Sequence, residues 1–364
     1  MARKIFIAAT GQDCGKTTTS LSLIHLARKK YRRVGFIKPV GPKPSLIGDT
    51  WVDKDAALVA KVYGLEDDLR LMSPVVVQPG DTRDVIDGVI TRAQLEKKLV
   101  DACAELEKHC DFLIIEGAGH SGVGSVLGLS NARVARLLDA PVLLVSGGGI
   151  GHVIDDVSMN LALYKMEGAQ VRIVMPNKLI AEKRARTLEY MSKAFADQDF
   201  IVHGGFNYSP ILAGPTLQHV AKLFNLPLRA TSNQARRIIQ HIQLGAASTE
   251  KVVEILKYST LLLVNSSRDE LLVMLATLYH IPEYHEKLAG VLISGASPVT
   301  MLTQKVLDDS DLPFMRTEQL TSSVFQTVTR DVSKITADDQ EKINLVKELA
   351  EQDLDFDLID RMLG

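Results

Sequence analysis

The sequence is poor in the features that mark secreted and membrane-spanning proteins. It has only 3 cysteines in 364 residues; Cys14, Cys103 and Cys110 cannot all pair with one another, and their spacing matches no zinc site. A disulfide scaffold is therefore excluded, and a reducing, cytoplasmic compartment is expected. No apolar run approaches the roughly 20 residues needed to cross a bilayer, and the N-terminal apolar run is too short for a signal peptide.

An excess of charge of one sign is also lacking, because 42 Lys and Arg residues face 44 Asp and Glu residues. We therefore expect neither a nucleic-acid partner nor a membrane partner. Aromatic residues make up only 5% of the chain, whereas apolar residues reach 46%. The core must be built from Val, Ile, Leu and Ala, which is typical of parallel α/β domains. At roughly 100–200 residues per domain, the length favours two domains.

Short apolar runs alternate with helical stretches along the N-terminal half of the chain. Strands are predicted at Ile5–Ala9, Val34–Ile37, Phe112–Ile115, Val142–Val145 and Val171–Met175. Helices are predicted at Lys16–Lys30, Thr91–Cys110, Asn131–Leu138 and Ile154–Lys165. Because strands and helices of this length connect by right-handed crossovers, the pattern predicts a mostly parallel sheet with helices on both faces.

The alternation restarts after residue 227 in a second, smaller unit. Its predicted helices and strands are Lys251–Leu256, Leu261–Val264, Glu270–Tyr279, Gly290–Ser294, Val299–Leu307, Pro313–Arg316 and Ser322–Thr329. From Thr336 the sequence is charged and helical. We therefore predict an α/β domain over residues 1–227, a smaller α/β domain over residues 228–335, and a helical tail over residues 336–364 that pairs with other helices or contacts another subunit.

The strongest chemical signal is the segment TGQDCGKT, which follows the first predicted strand and opens the first predicted helix. In this context the backbone N–H groups of the turn and of the helix N-terminus converge on phosphate oxygens. Lys16 would neutralise the β- and γ-phosphates, and the Thr17 hydroxyl would bind Mg²⁺. The predicted nucleotide-binding residues of this segment are Thr10, Gly11, Gln12, Asp13, Cys14, Gly15, Lys16, Thr17 and Thr18.

The segment departs from the usual P-loop pattern at one position. Thr10 stands where the first glycine is expected, and Gly11 is separated from Gly15 by only three residues. The alternative interpretation is a glycine turn that caps a helix and leaves Lys16 in solvent. Cys14 is either a small spacer or a redox sensor.

Carboxylates for the metal follow two of the predicted strands. Glu116 ends an apolar run at the strand end where ligands of open α/β sheets bind, and a charge there needs a partner. Asp55 opens a helical stretch and is either a second metal ligand or a carboxylate favoured by the helix N-terminus. Lys38 either contacts the phosphates or lies in solvent. We predict Thr17, Asp55 and Glu116 as metal ligands, and Lys16 and Lys38 as catalytic cations.

Three further features are weaker candidates. His120 either takes part in acid–base chemistry or phosphate contact, or lies in a surface loop. The glycine-rich turn Gly147–Gly151 follows a predicted strand and could approach a ligand. Asn177, at the end of another strand, is predicted to contact the nucleotide base with its amide, the alternative being an ordinary turn residue.

These motifs together resemble the dethiobiotin synthetase-like P-loop family. That family has a P-loop, then Lys-Pro, then Asp at a helix start, then Glu-Gly-Ala-Gly. Here they are Lys16-Thr17, Lys38-Pro39, Asp55 and Glu116–Gly119. The chain also resembles the N-terminal region of long bacterial phosphate acetyltransferases and their stand-alone relatives, in VGFIKPVG (34–41), IIEGAGHSGVGSVLGLSNARVARLL (114–138) and GGGIGHVIDDV (147–157). The resemblance implies a P-loop NTPase-like fold, ATP and Mg²⁺ as cofactors, and a homodimer or larger homo-oligomer.

Beyond residue 226 the chain resembles the DRTGG-type domain of the same relatives. The segment GAASTEKVVEILKYSTLLLVNSSRDE (245–270) matches its opening, although the name-giving motif is reduced to Ser266–Asp269. The chain ends at Gly364, before the transacetylase domain of these relatives, so we expect no acetyltransferase activity. The loop after Lys38-Pro39 also lacks the Thr/Ser-Gly of dethiobiotin synthetases, so we do not expect dethiobiotin synthesis.

Three functions follow from these observations. The favoured hypothesis is a regulatory protein in which ATP–Mg²⁺ shifts the first domain relative to the DRTGG-like domain. The second is an ATP-dependent ligase-like enzyme that phosphorylates a carboxylate or carbamate, with Lys16, Lys38 and Mg²⁺ stabilising the transferred group. The third, a scaffold without nucleotide binding, is disfavoured by the complete set of phosphate and metal groups. A ligase needs an acceptor pocket, for which the sequence offers only His120, Ser121 and Ser125.

Overall fold

The computed structural model describes residues 2–331 and 333–363. The contacts divide the chain into two compact units, Met1–Tyr208 with Thr336–Gly364, and Ser209–Ile335. These limits differ from the predicted domain limits at both ends. Residues 209–227 belong to the second unit because Leu217 and Val220 lie in its core, and the tail from Thr336 belongs to the first unit.

The first unit is built on a six-stranded parallel sheet of order β10-β9-β8-β1-β7-β2. Its elements up to Tyr208 are β1 (Arg3–Ala9), α1 (Lys16–Lys30), β2 (Val34–Ile37), β3 (Val40–Gly41), β4 (Pro44–Ile47), β5 (Thr50–Asp53), α2 (Lys54–Tyr63), α3 (Leu69–Met72), β6 (Val75–Val76), α4 (Asp81–Ile86), α5 (Arg92–His109), β7 (Phe112–Glu116), α6 (Asn131–Leu137), β8 (Val142–Gly147), α7 (Ile150–Glu167), β9 (Val171–Asn177), α8 (Arg184–Ala194) and β10 (Ile201–Val202). The five predicted strands and the mostly parallel sheet are confirmed.

The central strands form because they are short, apolar and covered on both faces. Every residue of β2 and β7 is buried, as expected for parallel strands. Because β1 pairs with β7 on one side and with β8 on the other, the order of successive strands across the sheet reverses around β1, while all six strands stay parallel. Ligands of open α/β sheets bind at the carboxyl ends of the strands at such a point.

A helix start and a hairpin add local detail to the first unit. Thr91 and Gln94 form a reciprocal capping box at the start of α5, which satisfies two of the free N–H groups at the helix N-terminus. The antiparallel hairpin of β4 and β5 was not predicted, because Leu46, Ile47 and Trp51 are exposed and show no buried face.

The second unit has its own parallel sheet of order β11-β12-β13-β14. Its elements are α9 (Pro210–Ala213), α10 (Leu217–Leu223), α11 (Ser232–Ala235), β11 (His241–Leu244), α12 (Thr249–Glu254), β12 (Thr260–Asn265), α13 (Asp269–Leu278), α14 (Pro282–Lys287), β13 (Leu288–Ser294), α15 (Met301–Asp309), β14 (Phe314–Thr317) and α16 (Thr321–Arg330). Separate apolar clusters cover the two faces of this sheet. The second α/β unit predicted from the sequence is therefore present.

The tail forms α17 (Gln340–Asp353) and α18 (Phe356–Met362), and both pack against α1. Asp360 of α18 accepts hydrogen bonds or ion pairs from Arg3, Lys30 and Tyr31 at 2.8–3.0 Å. The helical character of the tail is confirmed, and its partner is the helix that follows the phosphate-binding turn.

All three cysteines are free thiols. Burial raises the pKa of Cys103 to about 12 and that of Cys110 to about 11, so neither is a reactive thiolate at neutral pH. None of the helices in the described ranges is long and apolar enough to cross a membrane.

Candidate nucleotide-binding site

The turn between β1 and α1 has the geometry of a phosphate-binding loop. Gly15 is the N-cap of α1 with φ 104°, and Asp13 also has positive φ, at 56°. A Cβ at Gly15 would lie 2.3 Å from Nδ2 of Asn177. Glycine is required here both for the left-handed backbone and for the close approach of a neighbouring side chain.

The N-terminus of α1 is prepared for an anion. The helix has 15 residues, no side chain caps its N-terminus, and its first turn contains no acidic residue. Its first N–H groups therefore have no carboxylate competing for them, and the helix dipole favours negative charge there. Thr17 and Thr18 lie in this first turn and are partly exposed, and Gln12 and Asp13 are exposed.

Lys16 joins the turn to the loop that follows β7. Its Nζ donates to the carbonyl of Gly119 at 2.7 Å and to that of Gly11 at 3.3 Å. The ammonium therefore lies over the turn, bound to two neutral carbonyls. It is placed where it can stabilise the negative charge of a bound phosphate.

Thr10 replaces the glycine of the usual motif because its side chain has a structural partner. It is buried, its N–H donates to Val145 at 3.0 Å, and its Oγ1 lies 2.9 Å from Oγ of Ser146. The hydroxyl thus anchors the start of the turn to β8. Cys14 Sγ donates to the carbonyl of Gln12 at 3.5 Å.

A buried charge cluster lies beside the turn. Nζ of Lys38 is 2.7 Å from Oε1 of Glu116 and 2.9 Å from Oδ2 of Asp55, and it donates to the carbonyl of Gly117 at 3.1 Å. The side chain of Lys38 is only 3% exposed and that of Glu116 is fully buried. The structure thus brings together the three charged residues that the sequence singled out.

Electrostatics keep Lys38 charged. Burial by itself would lower the pKa of Lys38, but the charges of Glu116 and Asp55 outweigh it and hold that pKa above its ordinary value. Burial and the nearby charge of Asp55 raise the pKa of Asp53. Asp53 was not predicted as a site residue; it caps α2 and also accepts from the N–H of Lys43 at 3.0 Å. It therefore fixes the helix start that carries Asp55.

The oxygen atoms of the cluster fit a magnesium ion. Thr17 Oγ1 donates to Oε1 of Glu116 at 3.1 Å, while the buried Oε2 of Glu116 has no hydrogen-bond partner within residues 2–331 and 333–363. A carboxylate oxygen left in this way implies a missing cation or donor, and hydroxyl and carboxylate oxygens are the ligands Mg²⁺ prefers. Among the described residues no group of three or more His, Cys, Asp and Glu side chains could hold a metal.

Asn177 connects the turn to the loop after β10. Its Nδ2 donates to the carbonyl of Cys14 at 2.8 Å, and its Oδ1 accepts from the N–H of Phe206 at 2.7 Å. Both ends of the amide thus bind the backbone. The contact with a nucleotide base stays a prediction.

The loop after Glu116 is held by a residue that sequence reasoning missed. Asn131, the first residue of α6, bonds both the N–H and the carbonyl of Ala118 and the carbonyl of His120 at 2.6–3.0 Å. A Cβ on Gly117 would lie 2.7 Å from its Oδ1. The signal in the sequence was the Gly-Ala-Gly run itself, which needs an external anchor to keep one conformation.

The three residues predicted for an acceptor pocket, His120, Ser121 and Ser125, do not point together into a common pocket. His120 is exposed, and its Nδ1 accepts from the N–H of Gly122 at 3.2 Å. Ser121 is 1% exposed, and Ser125 donates to the carbonyl of Gly122 at 2.6 Å. The glycine-rich turn after β8 ends in the N-cap of α7, Gly149.

Comparison with known proteins places the N-terminal region in a known family. The family described as AAA domain matches residues 3–223. Phosphate acetyltransferase of Pseudomonas putida is 27% identical over 308 residues, which are 80% of this chain and 41% of that protein. The Pseudomonas aeruginosa protein of the same name is 24% identical, with 99% and 52% covered. The chain therefore spans about half the length of these curated relatives.

A shorter relative matches about half of the chain. The ATP-dependent dethiobiotin synthetase of Methanocaldococcus jannaschii is 28% identical over 177 residues, which are 48% of this chain and 78% of that enzyme. Among solved structures, that of apo McdA has a TM-score of 0.40 at 13% identity and covers 58% of this chain and 88% of that chain. The septum site-determining protein MinD of Pyrococcus horikoshii, complexed with Mg-ADP, has a TM-score of 0.35 at 16% identity and covers 58% and 84%.

The family match covers more than half of the chain and includes the turn, the charge cluster and the sheet that carries them. This chain belongs to the AAA domain family and is related to dethiobiotin synthetases and to the N-terminal regions of phosphate acetyltransferases.

Proposed function

We propose that this protein binds ATP with Mg²⁺ at the β1–α1 turn and acts as a regulatory nucleotide-binding module. One observation carries the proposal: an uncapped helix N-terminus and Lys16 adjoin a buried Lys38–Glu116–Asp55 cluster. Lys16 and the turn amides bind the phosphates. Thr17, Asp55 and Glu116 supply oxygen ligands for the metal.

The regulatory role is supported by the loop after β7. In this loop His120 is exposed, Ser121 is buried, and Ser125 donates its hydroxyl to the backbone carbonyl of Gly122. A ligase must hold an acceptor next to the γ-phosphate with matching polar groups.

We propose that the second unit is the DRTGG-type domain of the relatives, and that the protein forms a homodimer or larger homo-oligomer.

Titration calorimetry with ATP and Mg²⁺ tests the binding site. Lys16→Ala should weaken nucleotide binding at least tenfold, because it removes a charge-assisted contact to phosphate. Lys97→Ala is the matched control, since Lys97 is exposed on α5 and pairs with Asp101; this variant should bind the nucleotide like the wild type. Equal, undetectable heats for wild type and Lys16→Ala would refute nucleotide binding.

The second candidate is an ATP-dependent ligase-like enzyme acting on a carboxylate or carbamate. The observation that favours it is Lys38, a buried cation next to the predicted metal ligands, where it could stabilise a transferred phosphoryl group. Phosphate release would be measured across a panel of small carboxylates and amines. Release stimulated by one member of the panel, and lost in Lys38→Met, identifies a ligase; a flat panel alongside nucleotide binding supports the regulatory module.

A further inference from the structure

Lys38 occupies the position that the two predicted metal-binding carboxylates share. Its ammonium lies between Glu116 Oε1 at 2.7 Å and Asp55 Oδ2 at 2.9 Å. The third acceptor is the carbonyl of Gly117 at 3.1 Å. A lysine ammonium has three N–H donors, so each donor here has an oxygen acceptor.

The same cluster is closed to solvent. The side chains of Lys38, Glu116 and Asp55 are 3%, 0% and 11% exposed. A buried carboxylate requires a counter-ion, and removing that counter-ion leaves an uncompensated charge. Lys38 is therefore a counter-ion that the two buried carboxylates share.

A divalent ion bound across the two carboxylates would compete with the Lys38 ammonium for Oε1 of Glu116 and Oδ2 of Asp55, whereas Oε2 of Glu116 has no hydrogen-bond partner among the described residues. With Lys38 in place, a metal bound to Glu116 and Asp55 would lie within a few ångströms of a positive charge and would find Oε1 of Glu116 already accepting from Lys38 and Thr17. Phosphate oxygens bound at the α1 N-terminus offer the ammonium another set of acceptors. Thr17 belongs to that helix start and bonds Glu116 directly, so the two places are adjacent.

We propose that Lys38 is a built-in counter-ion that keeps divalent cations out of the carboxylate site until nucleotide phosphates draw its ammonium away. This inference rests on the proposed function, because the phosphates are those of the nucleotide bound at the turn. It makes the binding of metal and nucleotide mutually dependent, since each ligand favours the arrangement that the other requires. Free Mg²⁺ alone then binds poorly.

The decisive measurement uses Mn²⁺ alone, without nucleotide, on the full chain. Free Mn²⁺ is followed by electron paramagnetic resonance during titration of wild type and Lys38→Met. The variant should bind one Mn²⁺ at least tenfold more tightly than the wild type, because the carboxylates are no longer occupied. Lys38→Met combined with Glu116→Gln should lose this gain.

Lys4→Met is the matched control. Lys4 is also partly buried and paired with a carboxylate, Glu107 at 3.0 Å, but it lies away from the turn, at the amino end of β1. Its replacement should leave Mn²⁺ affinity at the wild-type value. A gain in Lys4→Met as large as that in Lys38→Met would overturn the proposal, because loss of any lysine would then suffice.

Folding of the variants is part of the test. Lys38→Met buries two uncompensated carboxylates, so Lys38→Gln is made in parallel, and the melting temperature of each is measured with and without millimolar Mn²⁺. Mn²⁺ should raise the melting temperature of the Lys38 variants more than that of wild type. Variants that fold neither with nor without Mn²⁺ count against the proposal, because the metal then fails to replace the ammonium.

The outcomes separate this inference from nucleotide binding itself. Wild type that binds Mn²⁺ alone as tightly as the Lys38 variants refutes the counter-ion role, whatever the nucleotide does. Wild type that binds no ATP, while Lys38→Met gains Mn²⁺ affinity, refutes the proposed function and leaves the exclusion of metal by Lys38 standing.

Discussion

Single residues decide whether the turn after β1 can hold phosphate. Gly15 combines a positive φ of 104° with a Cβ position 2.3 Å from Asn177 Nδ2. The amide of Asn177 in turn donates to the carbonyl of Cys14. The turn is therefore clamped from β9, and its shape depends on the absence of a side chain at Gly15.

Gly15→Ala should abolish nucleotide binding and lower the free energy of unfolding by about 1–2 kcal/mol from the backbone alone, because a Cβ is strained in the left-handed region. Urea unfolding measures the loss of stability, and calorimetry measures the loss of nucleotide binding.

Gly151→Ala is the control, because a Cβ at this position meets nothing within 4 Å and Gly151 lies inside α7. Its stability should be unchanged or raised by up to about 1 kcal/mol. Normal nucleotide binding by Gly15→Ala would contradict this account of the turn.

The sequence was sufficient to predict which residues belong to the site, but not which of these residues contact one another. A carboxylate after a buried strand, a lysine after another and an aspartate at a helix start each stand out in the sequence. The sequence does not show that Lys38 binds both carboxylates, because the three residues are far apart along the chain. Asp53 and Asn131 were missed since each carries an ordinary helix-start role, which hides its second function of positioning Asp55 and the loop after Glu116.

At the scale of elements, the tail helices support the helix that carries the phosphate site. Both α17 and α18 pack on α1. Asp360, with a side chain 7% exposed, pairs with Arg3 and Lys30 and accepts from Tyr31. Because α1 begins at the phosphate-binding turn, its packing on the tail helps to fix the orientation of the turn.

Asp360→Asn should lower the free energy of unfolding of the first unit by about 1–3 kcal/mol. This value lies between those of surface and buried ion pairs, because Arg3 and Lys30, the partners of Asp360, are partly exposed. Chemical unfolding provides the measurement. Asp101→Asn removes an exposed partner of Lys97 on α5 and should change stability by less than about 0.5 kcal/mol. Equal effects of the two substitutions would show that the tail contact is merely a surface pair.

Elements with a buried face were predictable, and elements without one were not. Apolar runs located β1, β2, β7, β8 and β9 because both faces of each strand are covered. The hairpin of β4 and β5 escaped because its apolar residues are exposed. Helix α7 begins at Ile150, four residues before the predicted start, because Gly149 caps it and the glycine-rich turn is partly helical.

At the scale of the whole molecule, the second unit is an insertion in the first. The chain leaves the first unit after Tyr208 and returns at Thr336. The inserted segment has a complete parallel sheet with an apolar cluster on each face. A segment with its own core can fold alone.

A fragment of residues 209–335 should therefore fold by itself. We expect helical and strand signals in circular dichroism and a single cooperative transition in urea, as for other small domains. A fragment of residues 228–335, which follows the predicted domain limit, is the comparison. It lacks Leu217 and Val220 of the core and should be less stable by several kcal/mol or unfolded. Equal stability of the two fragments would support the sequence-based limit.

Local patterns of hydrophobicity, glycine and charge were enough to predict the fold class, the turn after β1 and the charged residues beside it. Three features became visible only in the folded chain: the tail joins the first unit, Asn177 and Asn131 bind backbone groups of neighbouring loops, and Lys38 lies between Glu116 and Asp55. Each of them depends on contacts between residues distant in the chain, because packing and the compensation of buried charge act across such contacts.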